Sequence, residues 1–496
     1  MEFLVSLTDG PDVDLHAALL NPPAGATMVE LRLDLYPSAD VGSLISASPL
    51  PVLVTLRSTA EGGLGPVDTS QRRAVIREAR EAGAALLDVE FTRDRHLIAE
   101  LGLPPEQVVL SWHDPSATPS DLTETAGAML EATSGLVKVV STARGLGDLE
   151  RVLELYRAPV ADRRRLLAWA MGPLGVASRY LAPLLGAPVA FASWSDSSPA
   201  APGQLTIPRL TAVTGHLGGA PERLYGVIGS DVTESLSPSM HSAGYRALRL
   251  PYLFVPISVA EEHELEMLFA PQGSTLFDRV GLAPAGWAVT APFKRSAAAA
   301  ATLAAPRVRR ADAANTLVLR RQQVIAENTD ADGIVGCLTS RGIDPQGLVA
   351  IVQGTGGAAR GAAVGLDLAG AKVVLRGRDT GRTTTIARGI GVESCPPDET
   401  PRDAALLVNA TPLGSFARDP GPFSPREVAR ASAVLDMVYA DHPTALESAA
   451  GAAGVPFIDG REILLHQGIA QFAAFTGHIP PKDEMRAAIR RADSSR

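Results

Sequence analysis

The chain has 496 residues, which is too long for a single domain and predicts two or three. Its 46% hydrophobic and 20% charged content is typical of a soluble globular protein, and its formal net charge of −9 argues against nucleic acid or an anionic membrane as the main partner. Cys337 and Cys395 are too few for a disulfide scaffold or a cysteine-rich zinc site, so we expect no metal. No secretory signal or membrane span is visible, which predicts a cytoplasmic protein.

Residues 1–207 contain eight short apolar runs, most of them separated by segments of helical composition such as 70–82 and 121–132. Repeated βα units with eight strands predict a (β/α)8 barrel, in which the active-site residues lie at the carboxyl ends of the strands. The predicted strands are Phe3–Thr8, Met28–Asp34, Val52–Arg57, Leu86–Phe91, Val108–His113, Leu136–Ser141, Leu166–Met171 and Val189–Ser193.

Lys138 is the most unusual residue of these strands, because it lies on the same face as Leu136 and Val140. Burial of an unpaired ammonium is costly, so such a lysine tends to lose its proton and become a nucleophile. Alternatively, its ammonium reaches solvent at the strand end. Other strand ends are also polar, which predicts that they converge on one site: Glu30, Arg32, Asp34, Arg57, Glu61, Ser111 and His113.

Through these residues the first 207 positions resemble type I 3-dehydroquinate dehydratase. The family often has Ser where this chain has Ala200, in the loop that closes over the substrate, so the resemblance supplies no hydrogen bond there. The matching segments are Glu30-Leu31-Arg32-Leu33-Asp34, Thr55-Leu56-Arg57, Glu61-Gly62-Gly63, Ser111-Trp112-His113-Asp114, Lys138, Ser178-Arg179 and Ala201-Pro202-Gly203-Gln204.

The chemistry of that family agrees with the residue types. A neutral lysine amine, here Lys138, can condense with a ketone to give an iminium that acidifies the neighbouring proton. His113 is then the general base and the acid for the departing hydroxyl, with Glu61 orienting it. The resemblance assigns Arg179 to the substrate carboxylate. It assigns four further residues to the substrate hydroxyls and the pocket, namely Glu30, Arg32, Arg57 and Gln204.

The rest of the chain predicts two further α/β layers. Residues 208–223 mix Pro, Gly, Thr and charges without periodicity and are predicted to be a linker. We expect a substrate-binding domain at 224–332 and a Rossmann nucleotide-binding domain at 333–460. A helical segment at 461–496 is predicted to pack back on the substrate-binding domain.

A glycine-rich loop follows the predicted strand Leu348–Gln353 and precedes a predicted helix at 358–368. Its sequence, Gly354-Thr355-Gly356-Gly357-Ala358-Ala359, is a G-x-G-x-x-A form of the dinucleotide-binding loop. Glycine lets the backbone approach a pyrophosphate, and the helix N-terminus offers free N–H donors. After the next strand, Arg378 would favour the 2′-phosphate of NADP, whereas Asp379 would favour NAD.

Residues 224–496 resemble shikimate dehydrogenase along their whole length. Ala288 departs from the family, which commonly has Asn there. The matching segments are Gly226-Val227-Ile228-Gly229, Ser235-Leu236-Ser237-Pro238-Ser239-Met240-His241, Val289-Thr290-Ala291-Pro292-Phe293-Lys294, Ala314-Asn315-Thr316, Glu327-Asn328-Thr329-Asp330, Asn409-Ala410-Thr411-Pro412-Leu413-Gly414, Asp436-Met437-Val438-Tyr439, Gly460 and Leu464-Leu465-His466-Gln467.

That resemblance implies a catalytic pair, with Lys294 delivering a proton to the reduced carbonyl and Asp330 fixing its position. Without the match, a lysine after Pro-Phe would be read as a surface residue. NADP is the expected cofactor, because Arg378 falls where the family's Asn-Arg-Thr places its arginine. The implied substrate-binding residues are Ser235 and Ser237 for the carboxylate, and Thr290, Asn315, Tyr439 and Gln467 for the hydroxyls. The implied cofactor-binding residues are Gly354, Gly356, Gly357, Ala358, Arg378, Asn409 and Thr411.

Together the two resemblances imply a bifunctional shikimate-pathway enzyme of aromatic amino acid biosynthesis. The barrel would convert 3-dehydroquinate to 3-dehydroshikimate, and the second half would reduce that product to shikimate with NADPH. Two other interpretations stay open: a second half that uses quinate with NAD, or a barrel that binds ligands without catalysis. Small-molecule substrates are the expected partners, without nucleic acid or membrane; the sequence determines neither oligomeric state nor channelling.

Overall fold

The computed structural model describes residues 1–8, 14–157 and 165–493. Its strands form three separate sheets, which follow one another along the chain as a barrel, a mixed sheet and a parallel sheet. Within the described residues, no helix combines the length and the apolar composition needed to cross a membrane. The same residues contain no group of three His, Cys, Asp or Glu side chains that could hold a metal ion.

The first sheet confirms the predicted (β/α)8 barrel. Its eight parallel strands lie in the spatial order β8, β1, β2, β3, β4, β5, β6, β7, and helices follow the strands around the outside. At the seam between β7 and β8, Trp169 contacts Phe191 with ring centroids 5.1 Å apart. Strands β1 to β8 are Glu2–Leu7, Met28–Arg32, Val52–Thr55, Leu86–Glu90, Val108–His113, Leu136–Thr142, Leu166–Met171 and Val189–Ser193. Helices α1 to α8 are Leu15–Leu20, Val41–Ala47, Thr69–Glu81, Phe91–Glu100, Leu122–Ala132, Leu146–Glu154, Val176–Leu181 and Ile207–Thr214.

Residues 208–223 were predicted to be a linker, but helix α8 spans Ile207–Thr214 and so occupies the first part of that segment. Pro208 lies at the start of the helix, where a missing N–H costs nothing. Leu210 and Val213 are buried, so the segment has an apolar helical face that its Pro and Thr content obscured. The linker prediction is therefore wrong for these residues, and α8 is the eighth outer helix of the barrel.

The second sheet is mixed and has the order β10-β9-β11-β13-β14-β12. Strand β9 pairs in parallel with β10 and β11, and β13 runs antiparallel to both β11 and β14. Strands β9 to β14 are Arg223–Gly229, Tyr252–Ser258, Pro284–Val289, Leu303–Ala304, Thr316–Arg320 and Gln323–Glu327. Helices α9 to α13 are Ser237–Ala247, Leu276–Arg279, Lys294–Ala300, Pro306–Ala311 and Asp330–Ser340.

The third sheet is parallel throughout, in the order β17-β16-β15-β18-β19-β20, which is a Rossmann arrangement. The order reverses between β15 and β18, and ligands of such sheets bind in the crevice at that point. Strands β15 to β20 are Val349–Gln353, Lys372–Arg376, Glu393–Cys395, Ala404–Asn409, Ala433–Asp436 and Phe457–Ile458. Helices α14 to α17 are Gly357–Leu368, Thr380–Ile390, Pro425–Val428 and Ala445–Ala453.

Two C-terminal helices, α18 (Gly460–Thr476) and α19 (Lys482–Asp493), return to the second sheet. Helix α18 packs against α13, and α19 packs against α9. Phe472 and Phe475 of α18 are buried with Tyr225 and Phe254 of the second sheet in one apolar cluster. These helices therefore cover the side of the mixed sheet that would otherwise face solvent.

The barrel and the mixed sheet share one apolar core. Leu149 of α6 and Leu181 of α7 belong to the same buried cluster as Val255 and Ile257 of β10. Polar contacts cross the same boundary, because a Glu264 carboxylate oxygen accepts a hydrogen bond from the backbone N–H of residue 146 at 2.6 Å. The two halves are thus packed as neighbouring layers rather than joined only by a flexible segment.

Candidate active sites

A cavity of about 80 Å³ opens at the carboxyl end of the barrel strands. It brings together the residues that the first resemblance assigned to catalysis and substrate binding, although they come from different strands, loops and one helix; Asp34 and Ser111 lie beside it as partners of Arg32 and Asp88. Among the residues that line it are Glu30, Arg32, Arg57, Glu61, His113, Lys138, Arg179 and Gln204.

Lys138 is buried in this cavity with two carboxylates beside it. Its Nζ lies 3.4 Å from Asp88 and 3.6 Å from Glu30, and 4.5 Å from the centre of the Phe191 ring. Burial by itself would raise the pKa values of Glu30 and Asp88, but nearby cations, Lys138 among them, hold both below their ordinary values. The expectation of an unpaired buried lysine is therefore wrong: the structure surrounds its ammonium with anions, and no solvent-exposed strand end is involved.

Arg57 lies deeper in the barrel than a substrate-binding role would suggest. Its guanidinium donates to Asp88 at 2.7 Å, to Glu61 at 3.0 Å and to Glu90 at 3.2 Å. Against the opposing effect of burial, these carboxylates raise the pKa of Arg57. Arg57 is thus the centre of a buried ion network that spaces the surrounding carboxylates, and Asp88 links it directly to Lys138.

His113 and Glu61 form a contact pair above this network. The imidazole Nδ1 lies 3.0 Å from Glu61 Oε2, which also accepts the backbone N–H of His113 at 3.1 Å. Burial, together with the cations Arg57 and Lys138, lowers the pKa of His113 well below its ordinary value. Burial also raises the pKa of Glu61 to about 8. The imidazole is therefore neutral near neutral pH and has an unprotonated nitrogen to accept a proton.

Arg179 differs from the other predicted cations of the cavity, because no carboxylate among the described residues pairs with it. It is 6% exposed, and its Nε and Nη2 have no hydrogen-bond partner among the described residues. Burial lowers its pKa to about 9. A buried guanidinium without an anion is costly, so a negatively charged ligand would be stabilised beside Arg179. A carboxylate is the group that matches its planar fork.

The loop that covers this cavity is held by its own residues. Gln204 accepts the backbone N–H of Ala200 at 2.9 Å and donates to Ser6 at 3.2 Å. Ser198 and Thr8 exchange two hydrogen bonds through their hydroxyls and carbonyls, at 2.5 and 2.6 Å. Ser198 therefore fastens the loop to the end of β1 and does not replace the serine missing at Ala200.

Sequence reasoning missed Asp88 and Glu90. Both lie on β4, and Asp88 also accepts the hydroxyl of Ser111 at 2.6 Å. Two carboxylates at a spacing of two in an otherwise apolar run would have indicated that one face of this strand points at the site.

A second cavity, of about 940 Å³, lies between the mixed sheet and the Rossmann sheet. All the residues predicted to bind or transform the second substrate line it, and they are Ser235, Ser237, Thr290, Lys294, Asn315, Asp330, Tyr439 and Gln467. Ala288 and Ala358 also border it.

Lys294 and Asp330 are in direct contact although 36 residues separate them, with Nζ 2.5 Å from Oδ2. The other carboxylate oxygen of Asp330 accepts a hydrogen bond from Asn315 at 2.9 Å. Lys294 is at the start of α11 and Asp330 at the start of α13, so two helices position the pair. A buried ammonium held by a carboxylate at a cavity wall can deliver a proton to a bound ligand.

The remaining side chains of this cavity are neutral hydrogen-bonding groups. The Ser235 hydroxyl accepts the backbone N–H of Ser237 at 3.2 Å, and Gln467 donates to Thr329 at 3.0 Å. Such groups suit a ligand that carries several hydroxyls. Ala288 is 7% exposed and leaves the wall apolar where Asn is common.

The loop between β15 and α14 fits a dinucleotide. Gly354 has a φ of 129°, and a side chain there would lie 2.8 Å from the carbonyl oxygen of Ala410. A side chain at Gly356 would meet nothing within 4 Å, so the space in front of the loop is open. Helix α14 has 12 residues and no side-chain cap, which leaves its first N–H groups available to phosphate oxygens.

The charges after β16 favour a phosphate over a ribose diol. Asp379 accepts the backbone N–H of Arg382 and caps α15, so this carboxylate is already committed. Arg378 and Arg382 are both exposed at the same helix start. The sequence analysis missed Arg382. Its position in the first turn of the helix after β16, close to Arg378, was the signal that could have identified it.

Asn409 and Thr411 are placed differently from each other. Asn409 is fully buried; its amide donates to Asp436 at 2.8 Å, and its oxygen accepts the Thr411 hydroxyl at 2.7 Å. Thr411 is half-buried in the loop after β18. Asn409 therefore holds this loop from beneath, where it would shape a cofactor site without touching the cofactor.

Known proteins resemble the chain on both halves. The family model described as type I 3-dehydroquinase matches residues 5–220, the shikimate dehydrogenase substrate binding domain matches 227–317, and the shikimate 5′-dehydrogenase C-terminal domain matches 460–490. A shikimate dehydrogenase (NADP(+)) of Acidiphilium cryptum is 36% identical over 265 residues, which are 53% of this chain and 93% of that protein. A solved shikimate 5-dehydrogenase from Thermus thermophilus has 29% identity and a TM-score of 0.48, and covers 54% of this chain and 99% of its own.

Some relatives match nearly the whole chain. The chloroplastic bifunctional 3-dehydroquinate dehydratase/shikimate dehydrogenase of Arabidopsis thaliana is 30% identical over 491 residues, which are 92% of this chain and 79% of that protein. Both halves and their order therefore match, and the chain belongs to the family of bifunctional 3-dehydroquinate dehydratase/shikimate dehydrogenases.

Proposed function

We propose that the barrel of this bifunctional shikimate-pathway enzyme dehydrates 3-dehydroquinate through an imine on Lys138. Lys138 gives up a proton, and the lone pair of the resulting amine adds to the ketone carbon. The two protons that the nitrogen loses pass to the carbonyl oxygen, the C–O bond breaks and the oxygen leaves as water, so the positive charge passes overall from ammonium to iminium. Glu30 and Asp88, at 3.6 and 3.4 Å, therefore face a cation before and after the step. Their stabilisation is kept throughout the imine formation.

His113 then moves the proton. Its neutral imidazole removes the proton next to the iminium carbon, the electron pair forms an enamine, and the C–O bond to the departing hydroxyl breaks as the imidazolium returns the proton. Water adds to the resulting iminium and releases 3-dehydroshikimate and the lysine. Contact between His113 Nδ1 and Glu61 at 3.0 Å supports a role for Glu61 in holding the ring.

Arg179 is the observation that carries this assignment. An uncompensated guanidinium, buried in the same cavity as Lys138, calls for an anionic substrate whose carboxylate sits beside the reacting ketone. A ligand-binding barrel without catalysis would also use Arg179, but it would not need the Lys138, His113 and Glu61 set. Arg32, Arg57 and Gln204 have internal partners, so we assign them to the shape and charge of the pocket.

In the second half, we assign proton delivery to Lys294 and the fixing of its position and charge to Asp330. NADPH supplies the hydride when bound. Lys294 donates a proton to the oxygen of 3-dehydroshikimate as that oxygen becomes the hydroxyl of shikimate, and the contact with Asp330 at 2.5 Å holds the donor in place. Ser235 and Ser237 are assigned to the carboxylate, and Thr290, Tyr439 and Gln467 to the hydroxyls.

NADP is the cofactor of the named shikimate dehydrogenase relatives. Two features support the same cofactor for this chain: the Asp379 carboxylate is occupied in capping α15, and Arg378 and Arg382 are exposed beside it. The alternative, a quinate dehydrogenase that uses NAD, predicts the opposite ranking. Comparison of kcat/KM for shikimate and quinate, each with NADP+ and NAD+, distinguishes them.

Borohydride trapping tests the barrel mechanism. The chain has four lysines, which are Lys138, Lys294, Lys372 and Lys482. Incubation with 3-dehydroquinate and borohydride, followed by peptide mass spectrometry, is expected to locate a reduced adduct on Lys138 alone. Lys294 is the internal control, because it is also buried and therefore tests whether burial by itself causes labelling.

Lys138→Ala should form no adduct and lose dehydratase activity while it keeps shikimate dehydrogenase activity. Dehydration that persists in this variant, with no adduct in the unsubstituted protein, would refute the imine. Three points stay predictions. They are the domain boundaries apart from the linker, the cytoplasmic location, and the absence of nucleic-acid or membrane partners.

A further inference from the structure

His241 comes from a motif singled out in the sequence, yet it does not line the dehydrogenase cavity. It is fully buried on α9, and its ring stacks on Phe254 with centroids 4.3 Å apart and planes 4° apart. Its Nε2 lies 3.2 Å from Oε1 of Gln471. Burial of a polar imidazole away from substrate and solvent is costly unless its hydrogen bonds have a role in the structure.

Gln471 connects this histidine to the catalytic pair. It is 1% exposed, and its amide nitrogen donates to the Thr316 hydroxyl at 2.9 Å and to the carbonyl oxygen of Asn315 at 3.1 Å. The Thr316 hydroxyl donates to Oδ1 of Asn315 at 2.9 Å. Asn315 in turn donates to Asp330, which holds Lys294.

The direction of every bond in this chain follows from its two ends. Asp330 can only accept, so Asn315 must present its nitrogen to it and its oxygen to Thr316. The carbonyl of Asn315 can only accept, so Gln471 must present its nitrogen there and its oxygen to His241. His241 must therefore donate from Nε2, and the hydrogen bonds run with one polarity from His241 to Asp330.

The state of the His241 ring agrees with this direction. Burial lowers its pKa to about 3, so the ring is neutral and carries one proton. Nδ1 has no partner among the described residues, whereas Nε2 has an acceptor. The single proton is accordingly used where the chain needs a donor.

We propose that His241 and Gln471 are positioning residues of the dehydrogenase: through their directional hydrogen bonds they fix the Thr316 hydroxyl on the Asn315 oxygen, where it acts together with the backbone N–H of Thr329, and so tighten the geometry of Asp330 and Lys294. This inference rests on the proposed function of that site. The Asn315 oxygen also accepts the backbone N–H of Thr329 at 2.8 Å. Loss of the donor at His241 or Gln471 therefore loosens the Asn315 amide without releasing it, which misplaces the proton donor at the moment of reaction more than it weakens ground-state binding.

Two substitutions at His241 separate positioning from packing. His241→Phe keeps a ring on Phe254 and removes the donor, whereas His241→Gln removes the ring and keeps a donor of similar reach. We expect kcat for shikimate oxidation to fall about tenfold in His241→Phe, the effect of one lost buried hydrogen bond, and to be recovered to within about twofold in His241→Gln. KM for shikimate and NADP+ should stay within about twofold in both.

Gln471→Met and the double variant complete the experiment. In Gln471→Met, kcat should fall to the same extent. In the double variant His241→Phe with Gln471→Met, kcat should be no lower than in the less active single variant, because both substitutions interrupt the same series of hydrogen bonds. Tyr245→Phe is the matched control: its hydroxyl has no hydrogen-bond partner among the described residues and its ring packs in the same cluster, so kcat should not change. Dehydratase activity reports whether each variant chain folds.

A purely structural role predicts the reverse order, with His241→Gln worse than His241→Phe, or equal losses in Tyr245→Phe; either result overturns the proposal. If the unsubstituted protein oxidises no shikimate, the function of the site fails instead. Should His241→Phe not fold, selective ¹⁵N-histidine labelling decides: one ring is expected to stay neutral with its proton on Nε2 between about pH 5 and pH 8. Its signal should disappear in His241→Gln, and a proton on Nδ1 would overturn the assignment.

Discussion

Two buried cations of the barrel show how the surroundings decide a residue's task. Lys138 has Asp88 and Glu30 within 3.6 Å, whereas Arg179 has no anion and two unpartnered nitrogens among the described residues. An ion whose partners are built into the protein is stabilised before any ligand arrives. An ion without partners destabilises the empty site and gains when an anion binds. Arg179 is therefore the residue at which stability and function should oppose each other.

Replacement of Arg179 tests that opposition. Arg179→Met should raise the free energy of unfolding by about 1–4 kcal/mol, because it removes a buried charge without breaking a pair. The same variant should raise KM for 3-dehydroquinate and lower kcat/KM by about a hundredfold, since the loss of a charged partner for a carboxylate is worth about 3 kcal/mol. Thermal unfolding and steady-state dehydratase kinetics measure the two effects.

Arg72→Met is the control for this pair of effects. Arg72 is buried as well, but it donates to Asp94 at 2.5 Å and lies 3.3 Å from Glu90. Its removal should destabilise the chain by about 3–5 kcal/mol, because it leaves buried carboxylates unpaired. A loss of stability in Arg179→Met would mean that its charge is compensated after all.

The fall of dehydratase kcat/KM at low pH provides a second test, here of the role of His113. Only neutral His113 accepts the α-proton, and its pKa lies well below 6.5 because of burial and the cations Arg57, Lys138 and Arg32. A lowered pKa keeps the imidazole neutral to lower pH, so kcat/KM should remain on its plateau as the pH falls through 6.5. In Arg32→Gln the loss of one cation should raise that pKa and move the acid limb upward.

The measurement is a pH profile of kcat/KM, which reports the free enzyme. Arg95→Gln is the control, because Arg95 is exposed on α4 and is not among the groups that shift the pKa of His113. An acid limb at the ordinary histidine position, unmoved in Arg32→Gln, would contradict the assignment of His113 as the base.

Among the structural elements, the helix N-termini differ in what satisfies their first N–H groups. Asp68 caps α3, Asp379 caps α15 and Thr444 caps α17, each by accepting a backbone N–H of the first turn. Helix α14 has Gly356 at the same position and no side-chain cap. Other helices also lack a side-chain cap, but α14 alone begins in the glycine loop after β15, so its free N–H groups face the place where a phosphate would bind.

Gly356→Ala tests that helix start. Its φ of −76° is permitted for alanine, and the added side chain would meet no protein atom within 4 Å. We expect unchanged thermal stability but at least about tenfold weaker NADP+ binding, because the methyl group enters the space a pyrophosphate needs. Titration of NADP+ against the variant measures the affinity.

Gly389→Ala is its matched control, since a side chain there also meets nothing within 4 Å but lies on α15 away from the loop. NADP+ affinity should be unchanged in this variant. Equal affinity in Gly356→Ala and the unsubstituted protein would exclude the proposed pyrophosphate position.

At the scale of the whole molecule, the two catalytic halves are packed together through a shared hydrophobic core. Helices α6 and α7 of the barrel share an apolar cluster with β10, and Arg279 pairs with Glu150 across the boundary. An interface made of a common core does not separate without exposing apolar surface. The barrel and the mixed sheet should therefore unfold together, and a ligand of one half should protect the other.

Thermal inactivation in the presence of the second half's ligands tests this linkage. Shikimate and NADP+ at about 100 times their dissociation constants stabilise the state that binds them by about 2.7 kcal/mol. If the barrel and the mixed sheet unfold as one unit of about 330 residues, the unfolding entropy is about 0.7 kcal/mol/K, and this stabilisation raises the midpoint by about 4 °C. We expect that rise in the temperature at which dehydratase activity is lost, and Gly356→Ala should show a smaller one. A dehydratase midpoint that does not move would show that the halves unfold independently.

By itself the sequence determined the architecture and predicted most of the polar residues that line the two cavities, but it missed Asp88, Glu90 and Arg382. The barrel follows from eight apolar runs with polar ends, and the nucleotide-binding layer follows from a glycine loop after a strand, because both patterns express local geometry. The site residues share two cavities because carboxyl ends of parallel strands meet at one edge. The failure at α8 is also local: Pro and Thr masked an apolar face whose burial depends on the neighbouring layer.

Only the tertiary structure decided what each charged residue does. Lys138 and Arg179 look alike in the sequence as cations near apolar residues, and the difference between them lies in Asp88 and Glu30, which are distant along the chain. The same holds for His241, whose task depends on Gln471, 230 residues later. Charge compensation and hydrogen-bond direction depend on atoms brought within a few ångströms by folding, and no local pattern carries that information.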